Sequence, residues 1–217
     1  ATQPIRENIS GTSPGTKESP KAAQLTASSN ASGGAGIAPT GGASIFNSGS
    51  ISGGLAADAS IRADAIDFSG GGNTLTLENG FSFTGNVVSA GGDTLAVGGA
   101  GNSSFDVTQI GASAQYRGFG AFAKSGTSTW TLSGNNAATN WNVSAGTLQV
   151  NGSIGNVLVT GGVLVGTGSV AGITLDAGAA IAPGGSPGTL AGTSLAWNGD
   201  GSFNFQLGST PASSDLL

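Results

Sequence analysis

The chain has no cysteine, no histidine and no methionine. Without cysteine there is no disulfide framework, so stability has to come from packing and backbone hydrogen bonds. Without histidine and cysteine, the commonest nucleophiles, general bases and metal ligands are missing together, and no cofactor or metal site is expected. Charge is scarce too: Asp, Glu, Lys and Arg make up 8% of the residues, against roughly a quarter in ordinary globular domains. A net charge of −5 with only six basic side chains argues against a nucleic-acid partner and against anionic membrane surfaces. No run approaches the roughly 18 consecutive apolar residues of a membrane-spanning helix. The opening ATQPIRENIS lacks the apolar core of a signal peptide.

Glycine is in excess, at 41 residues, and its companions are Thr, Val, Ser and Asn. Glycine costs backbone entropy inside helices, whereas these companions favour strands and turns, so an all-β chain is expected. Residues 1–42 differ from the rest, because they hold four of the seven prolines and half of the lysines and arginines. They read as an N-terminal extension, either flexible or an irregular cap laid on the first turns of the β region.

From residue 43 to residue 217, apolar alternations of four to six residues recur between Gly, Asn, Asp and Ser. Period-two spacing puts Leu75 with Leu77 on one face, and likewise Phe81 with Phe83, Leu95 with Val97, Phe105 with Val107 and Trp130 with Leu132. The series continues with Leu148 and Val150, Val157 and Val159, Val163 and Val165, and Ile173 and Leu175. It ends with Leu195 and Trp197, then Phe203, Phe205 and Leu207. GGNTLTL starts at Gly71 and GGDTLAV at Gly91, a spacing within the solenoid range of about 20 residues or more. An antiparallel sandwich and a parallel β-solenoid both fit the pattern. Composition favours the solenoid, whose narrow interior is filled by Val, Leu, Ala and Ile and whose corners need residues that accept positive φ. Coils of about 20–25 residues rising about 4.8 Å each give a rod of about seven to nine coils, roughly 35–45 Å long. The inward ladder is expected to run through Leu75, Leu77, Leu95, Val97, Trp130, Leu132, Leu148, Val150, Ile173 and Leu175. The bulky C-terminal residues are expected to plug the last coil and resist edge-to-edge association.

FAKSGTSTWTLSGNNAATNWNVSAGTLQVNG, from Phe122 to Gly152, resembles the autotransporter-associated β-strand repeat: a lysine, a Gly-Thr turn, Trp-Thr-Leu-Ser-Gly, a polar turn, then Gly-Thr-Leu-x-Val-Asn-Gly. Trp141 stands where the repeat usually has Gly or Thr. GGVLVGTGSVAGITLDAGAAIAPGGSPGTL, from Gly161 to Leu190, is similar to the segment that comes after this repeat in passenger domains of type V secretion. The resemblance implies a right-handed parallel β-helix exported through the outer membrane of a Gram-negative bacterium, to the cell surface or beyond. It also implies an outer-membrane translocator barrel as partner and a role in folding and export in place of catalysis. A surface stalk or adhesin that meets a receptor or glycan is the function expected from it.

Motifs that carry chemistry elsewhere fail here on physical grounds. Gly184 to Gly188 matches a nucleophile elbow, but Pro187 comes directly after Ser186 and has no N–H for an oxyanion hole, and no histidine exists to activate the serine. Gly166 to Gly172 runs into the strand-like ITL, so no helix N-terminus is there to hold a pyrophosphate. Gly98 to Asp106 is a single copy of a calcium-binding nonapeptide with Ser103 at the aspartate position. Thr-x-Thr pairs occur at Thr74 and Thr129 without the regular array of an ice-binding face. The one concentration of charge is Asp58, Arg62, Asp64 and Asp67. It is the place where paired carboxylates of a polysaccharide-cleaving β-helix would sit, although Arg62 and Asp64 on one strand face make an ion pair the simpler account.

Overall fold

The computed structural model describes residues 33–56, 59, 61–184 and 188–217. Among them there is no α-helix, and every strand-to-strand ladder is parallel. The spine is one sheet whose rungs are Ser44–Asn47, Thr74–Leu77, Thr94–Val97, Ala121–Lys124, Trp141–Val143, Val157–Val159, Ser169–Asp176 and Ala191–Asn198. A second sheet stacks Ser103–Asp106, Thr129–Ser133, Thr147–Val150, Val163–Gly166, Ala180–Pro183 and Ser202–Phe203. Two smaller ladders close the N-terminal half: Ser50–Ser52 on Ser82–Thr84, and Ile66–Phe68 through Val87–Ser89 to Tyr116–Arg117. This is a parallel β-helix. Eight rungs at about 4.8 Å give a spine about 34 Å long. Of the N-terminal segment, residues 1–32 lie outside the described residues, and Ile37 pairs with Ile66 of the first coils.

The GGN and GGD doublets mark one coil, because Thr74 sits in register on Thr94 and Leu75 on Leu95. The coil is not constant: it takes 27 residues from Leu95 to Phe122 but 16 from Trp141 to Val157. Inside, side chains stack in files. One runs Leu75, Leu95, Phe122, Trp141, Val157 and Ile173. On the other sheet, Trp130 is flanked by Ser103 and Leu148, and the file continues through Leu164 and Ile181 to Phe203. All ten residues expected in the inward ladder are buried. Aromatics fill the longer coils of the N-terminal half, where half-buried Phe81 meets both Trp130 and Phe105, and Phe105 meets Tyr116 edge-on. Each fully covered Leu or Val contributes about 1.5–3 kcal/mol.

Two expectations are corrected. Val163 and Val165 do not share the core face; Leu164 between them does, at 0% exposure. The same tripeptide in the strand just before it does the opposite, with Val157 and Val159 buried and Leu158 outward at 37%. An all-apolar tripeptide carries no period-two signal, so the neighbouring rungs decide: Val157 must sit on Trp141, and Leu164 on Leu148. The second correction concerns the C-terminal end. Leu195 and Trp197 take inward register positions on Ile173 and Leu175, yet they are 44% and 57% exposed, and Phe205 is 42% exposed. They form the last layer among the described residues: Ile173 and Leu175 beneath them are covered, but Leu195, Trp197 and Phe205 are not themselves enclosed as expected.

Leu164→Lys is therefore expected to prevent folding, since it buries an unpaired ammonium, whereas Leu158→Lys is expected to shift the urea midpoint by less than about 1 kcal/mol equivalent. Equal losses in a urea titration would contradict the register.

Candidate functional site

The acidic cluster does not assemble a catalytic pair. Asp58 lies outside the described residues. The Arg62 guanidinium donates to the Gly53 carbonyl at 2.7 Å, and the Asp64 carboxylate accepts from the Asn86 amide at 3.0 Å. The Asn86 carbonyl in turn accepts from Arg117 at 3.1 Å. The expected Arg62–Asp64 pair is thus replaced by a local contact for Arg62 and a contact to the next coil for Asp64, because residues 61–65 run as an irregular excursion instead of a strand. Asp67 is exposed on the outer face of Ile66–Phe68. Ser186 lies outside the described residues. Gly166 to Gly172 is a tight corner running into a strand. Asp106 uses its carboxylate to accept from the Thr108 N–H and hydroxyl. Among the described residues, no three Asp or Glu side chains come together to hold a metal ion.

Polar side chains that sequence reasoning missed are built into the corners. Asn73 and Asp93 are each 1% exposed and in register one rung apart. Asp93 Oδ1 accepts from the Asn73 N–H at 2.8 Å and from its side-chain amide at 2.9 Å, while Oδ2 accepts from the Ser89 hydroxyl at 2.6 Å. Asn73 Oδ1 accepts from the Ala43 N–H at 2.9 Å, so three coils are tied through one file of side chains. The available signal was the glycine doublet repeated before Asn73 and Asp93.

The second such feature is Lys124, at the end of Ala121–Lys124. Its register partners are Val97 and Val143, both inward, so a lysine occupies a core position and is 0% exposed. Its ammonium donates to three carbonyls: Ser125 at 2.7 Å and Gly126 at 3.1 Å in its own turn, and Ala145 at 3.1 Å in the next. Three donors meet three acceptors, which is the condition for burying a charge without a carboxylate. The turn needs glycine for two reasons. Gly126 and Gly146 sit at φ 67° and 64°, and a Cβ on Gly146 would approach Lys124 Nζ to 2.7 Å. Trp130, at 0% exposure, donates its indole N–H to the Gly98 carbonyl at 2.9 Å, tying the same corner to the preceding coil. It is a strand and core residue, with no face free to stack a ligand. Trp141 packs at a tilt of 37° against Phe122, centroids 5.5 Å apart, and is buried with its indole N–H unpaired among the described residues.

Lys124, its two-glycine corner and Trp130 all fall in one stretch. Residues 122–150 match the model of the passenger-associated-transport-repeat, a repeat found in autotransporter passenger domains. This stretch is similar to an autotransporter passenger repeat. Comparison with curated proteins and with solved structures gives no match. The repeat's two halves are successive coils of the rod, since Phe122 sits on Trp141 and Trp130 on Leu148. Its lysine, glycines and tryptophan therefore set the corner where one coil hands over to the next. The repeat is structural in the passenger domains that carry it.

Burial pulls the Lys124 pKa down from 10.5 to about 8, outweighing the three carbonyls. Between about pH 8 and 10.5 the unfolded chain holds the proton longer than the folded one, so stability rises with pH in that window. Tyr116, whose phenol is pushed up by burial, opposes this only as unfolded phenols ionise near pH 10.0. Lys124→Met leaves three carbonyls without their donor and is expected to cost about 2–4 kcal/mol at pH 7 and to abolish the rise above pH 8. Urea midpoints of both proteins from pH 7 to pH 9.5 check this; a parallel pair of curves would refute the burial of a charged lysine.

Proposed function

We propose that this chain is a non-enzymatic stalk segment of an autotransporter passenger, displayed on or released from the surface of a Gram-negative bacterium. The observation that carries the reading is the passenger repeat at residues 122–150, lying in the middle of an unbroken parallel ladder. A rod stacked rung on rung projects whatever it bears about 5 Å further from the membrane per coil. Its outer faces, rich in Ser, Thr, Asn and Gln, offer hydroxyls and amides to a receptor or glycan, which is the adhesive version of the same role. A translocator barrel in the outer membrane is the partner this reading requires. The absence of cysteine suits such a route, since no disulfide forms before the chain is threaded outward.

The polysaccharide-cleaving alternative draws no support from the geometry around Asp64 and Asp67, where one carboxylate is engaged by Asn86 and the other stands outward. Asp64→Asn with Asp67→Asn is expected to leave surface display and any binding phenotype unchanged. Proteinase shaving of intact bacteria, read with an antibody against the rod, should release the chain without lysis. Protection of the chain until the outer membrane is broken would overturn the display reading, and polysaccharide cleavage lost in the double variant would overturn the non-enzymatic one.

A further inference from the structure

The coil shortens in the middle of the rod. From Leu95 to Phe122 it takes 27 residues, and from Phe122 to Trp141 it takes 19. The longer coil carries the last strand of the small third ladder, Tyr116–Arg117, which pairs with Val87–Ser89. The shorter coil adds no strand to that ladder, because its corner at Asn135–Asn136 pairs onward with Ser153–Ile154. One ladder thus stops and another starts between neighbouring coils. The step leaves a cleft of about 380 Å³ between residues 110–122 and residues 136–139.

Apolar and polar groups divide the lining between them. Ile110, Phe119 and Phe122 supply the apolar part, and Phe119 is fixed edge-on against Phe68 at 6.0 Å. Asn136 donates its side-chain amide to the Val107 and Ile110 carbonyls at 3.1 and 2.9 Å, while its Oδ1 takes only the Ala138 N–H at 3.3 Å and keeps room for a second donor. The backbone amides of Ala112, Gly118 and Phe119, all in the lining, have no hydrogen-bond partner among the described residues. No charged side chain is in the lining. Arg117, beside Gly118 in the chain, is taken up by the Ala114 carbonyl at 2.7 Å and the Asn86 side chain at 3.1 Å. Ala112, Gly120 and Ala138 are exposed, so the cleft opens to solvent.

We propose that this cleft binds one pyranose ring of a neutral glycan. The volume is near the lower end of the roughly 300–1,000 Å³ of small-molecule sites, so it suits a single ring. A pyranose has an apolar C–H face for the two phenyl rings and hydroxyls that both donate and accept, which match free amides on one side and Asn136 Oδ1 on the other. A phosphate or carboxylate would meet no cation there and would lose its hydration without compensation. The site names a ligand class for the adhesive form of the display reading and rests on that reading. Its test is made in solution, so a failure to bind sugar leaves surface display standing, and a failure of display leaves the binding result standing.

The test is a titration of the purified, ¹⁵N-labelled chain with the methyl glycosides of glucose, galactose, mannose and N-acetylglucosamine, followed by amide NMR. At least one is expected to shift the Ala112, Gly118 and Phe119 signals with a Kd in the millimolar range, ordinary for a ligand of about a dozen non-hydrogen atoms. Thr131 and Gln149, on the outer face of the second sheet, should not move. Glucuronate and the open-chain polyol sorbitol should leave all these signals in place. A Cβ on Gly120 would meet no atom within 4 Å, so Gly120→Leu fills the cleft without a clash. It should weaken binding by at least about tenfold while the circular dichroism and urea midpoint stay unchanged. No shift with any of the four glycosides overturns the proposal. So do shifts that survive Gly120→Leu, and shifts of equal size from glucuronate or sorbitol.

Discussion

Parallel strands in register place each inward side chain directly over its counterpart one rung away, about 4.8 Å along the axis. Everything else in the molecule answers to that spacing. Core residues have to fit the space above and below them, as Leu75 does against Leu95 and Trp141 between Phe122 and Val157. Corners have to let backbone pass close to backbone. Ionic side chains have to leave the interior unless a coil supplies every partner they need, as the stacked turns around Lys124 do.

A ladder of this kind is stabilised locally, each coil by its neighbours, and the proposed export would draw on that property. Coils added one at a time need no distant contact to become stable, so a chain emerging from one end can fold as it appears. The corner file of Asn73 and Asp93 and the ammonium of Lys124 serve the same end by different chemistry. Both tie a turn to the adjacent turn through buried hydrogen bonds, which fixes the register that alternating Val and Leu alone leave degenerate.

The sequence was legible wherever polar and apolar residues alternate strictly. Leu75 and Leu77, Trp130 and Leu132, and Leu148 and Val150 all point inward as their spacing requires. It was ambiguous at the two VLV tripeptides, where both faces are apolar. Lys124 was hidden because its neighbours Val97 and Val143 lie 27 and 19 residues away, and only the folded register brings them together. The charged residues near Asp64 were legible as a cluster but not as an arrangement, since an excursion from the coil gave Arg62 and Asp64 different partners. The C-terminal aromatics were correctly placed on the last coil. Their exposure depends on what lies beyond that coil, and no alternation of residues encodes it.

The central claim is the in-register parallel ladder, and the absence of cysteine makes it directly measurable. Thr131 and Gln149 are register partners on the outer face of the second sheet. With cysteines at both positions, mild oxidation should close a disulfide, because paired Cα atoms lie within the roughly 4.4–6.8 Å that the bond spans. Thr131→Cys with Asn151→Cys, two residues out of register, should stay reduced under the same conditions. Closure of the second pair as readily as the first would contradict the ladder and with it the β-helix.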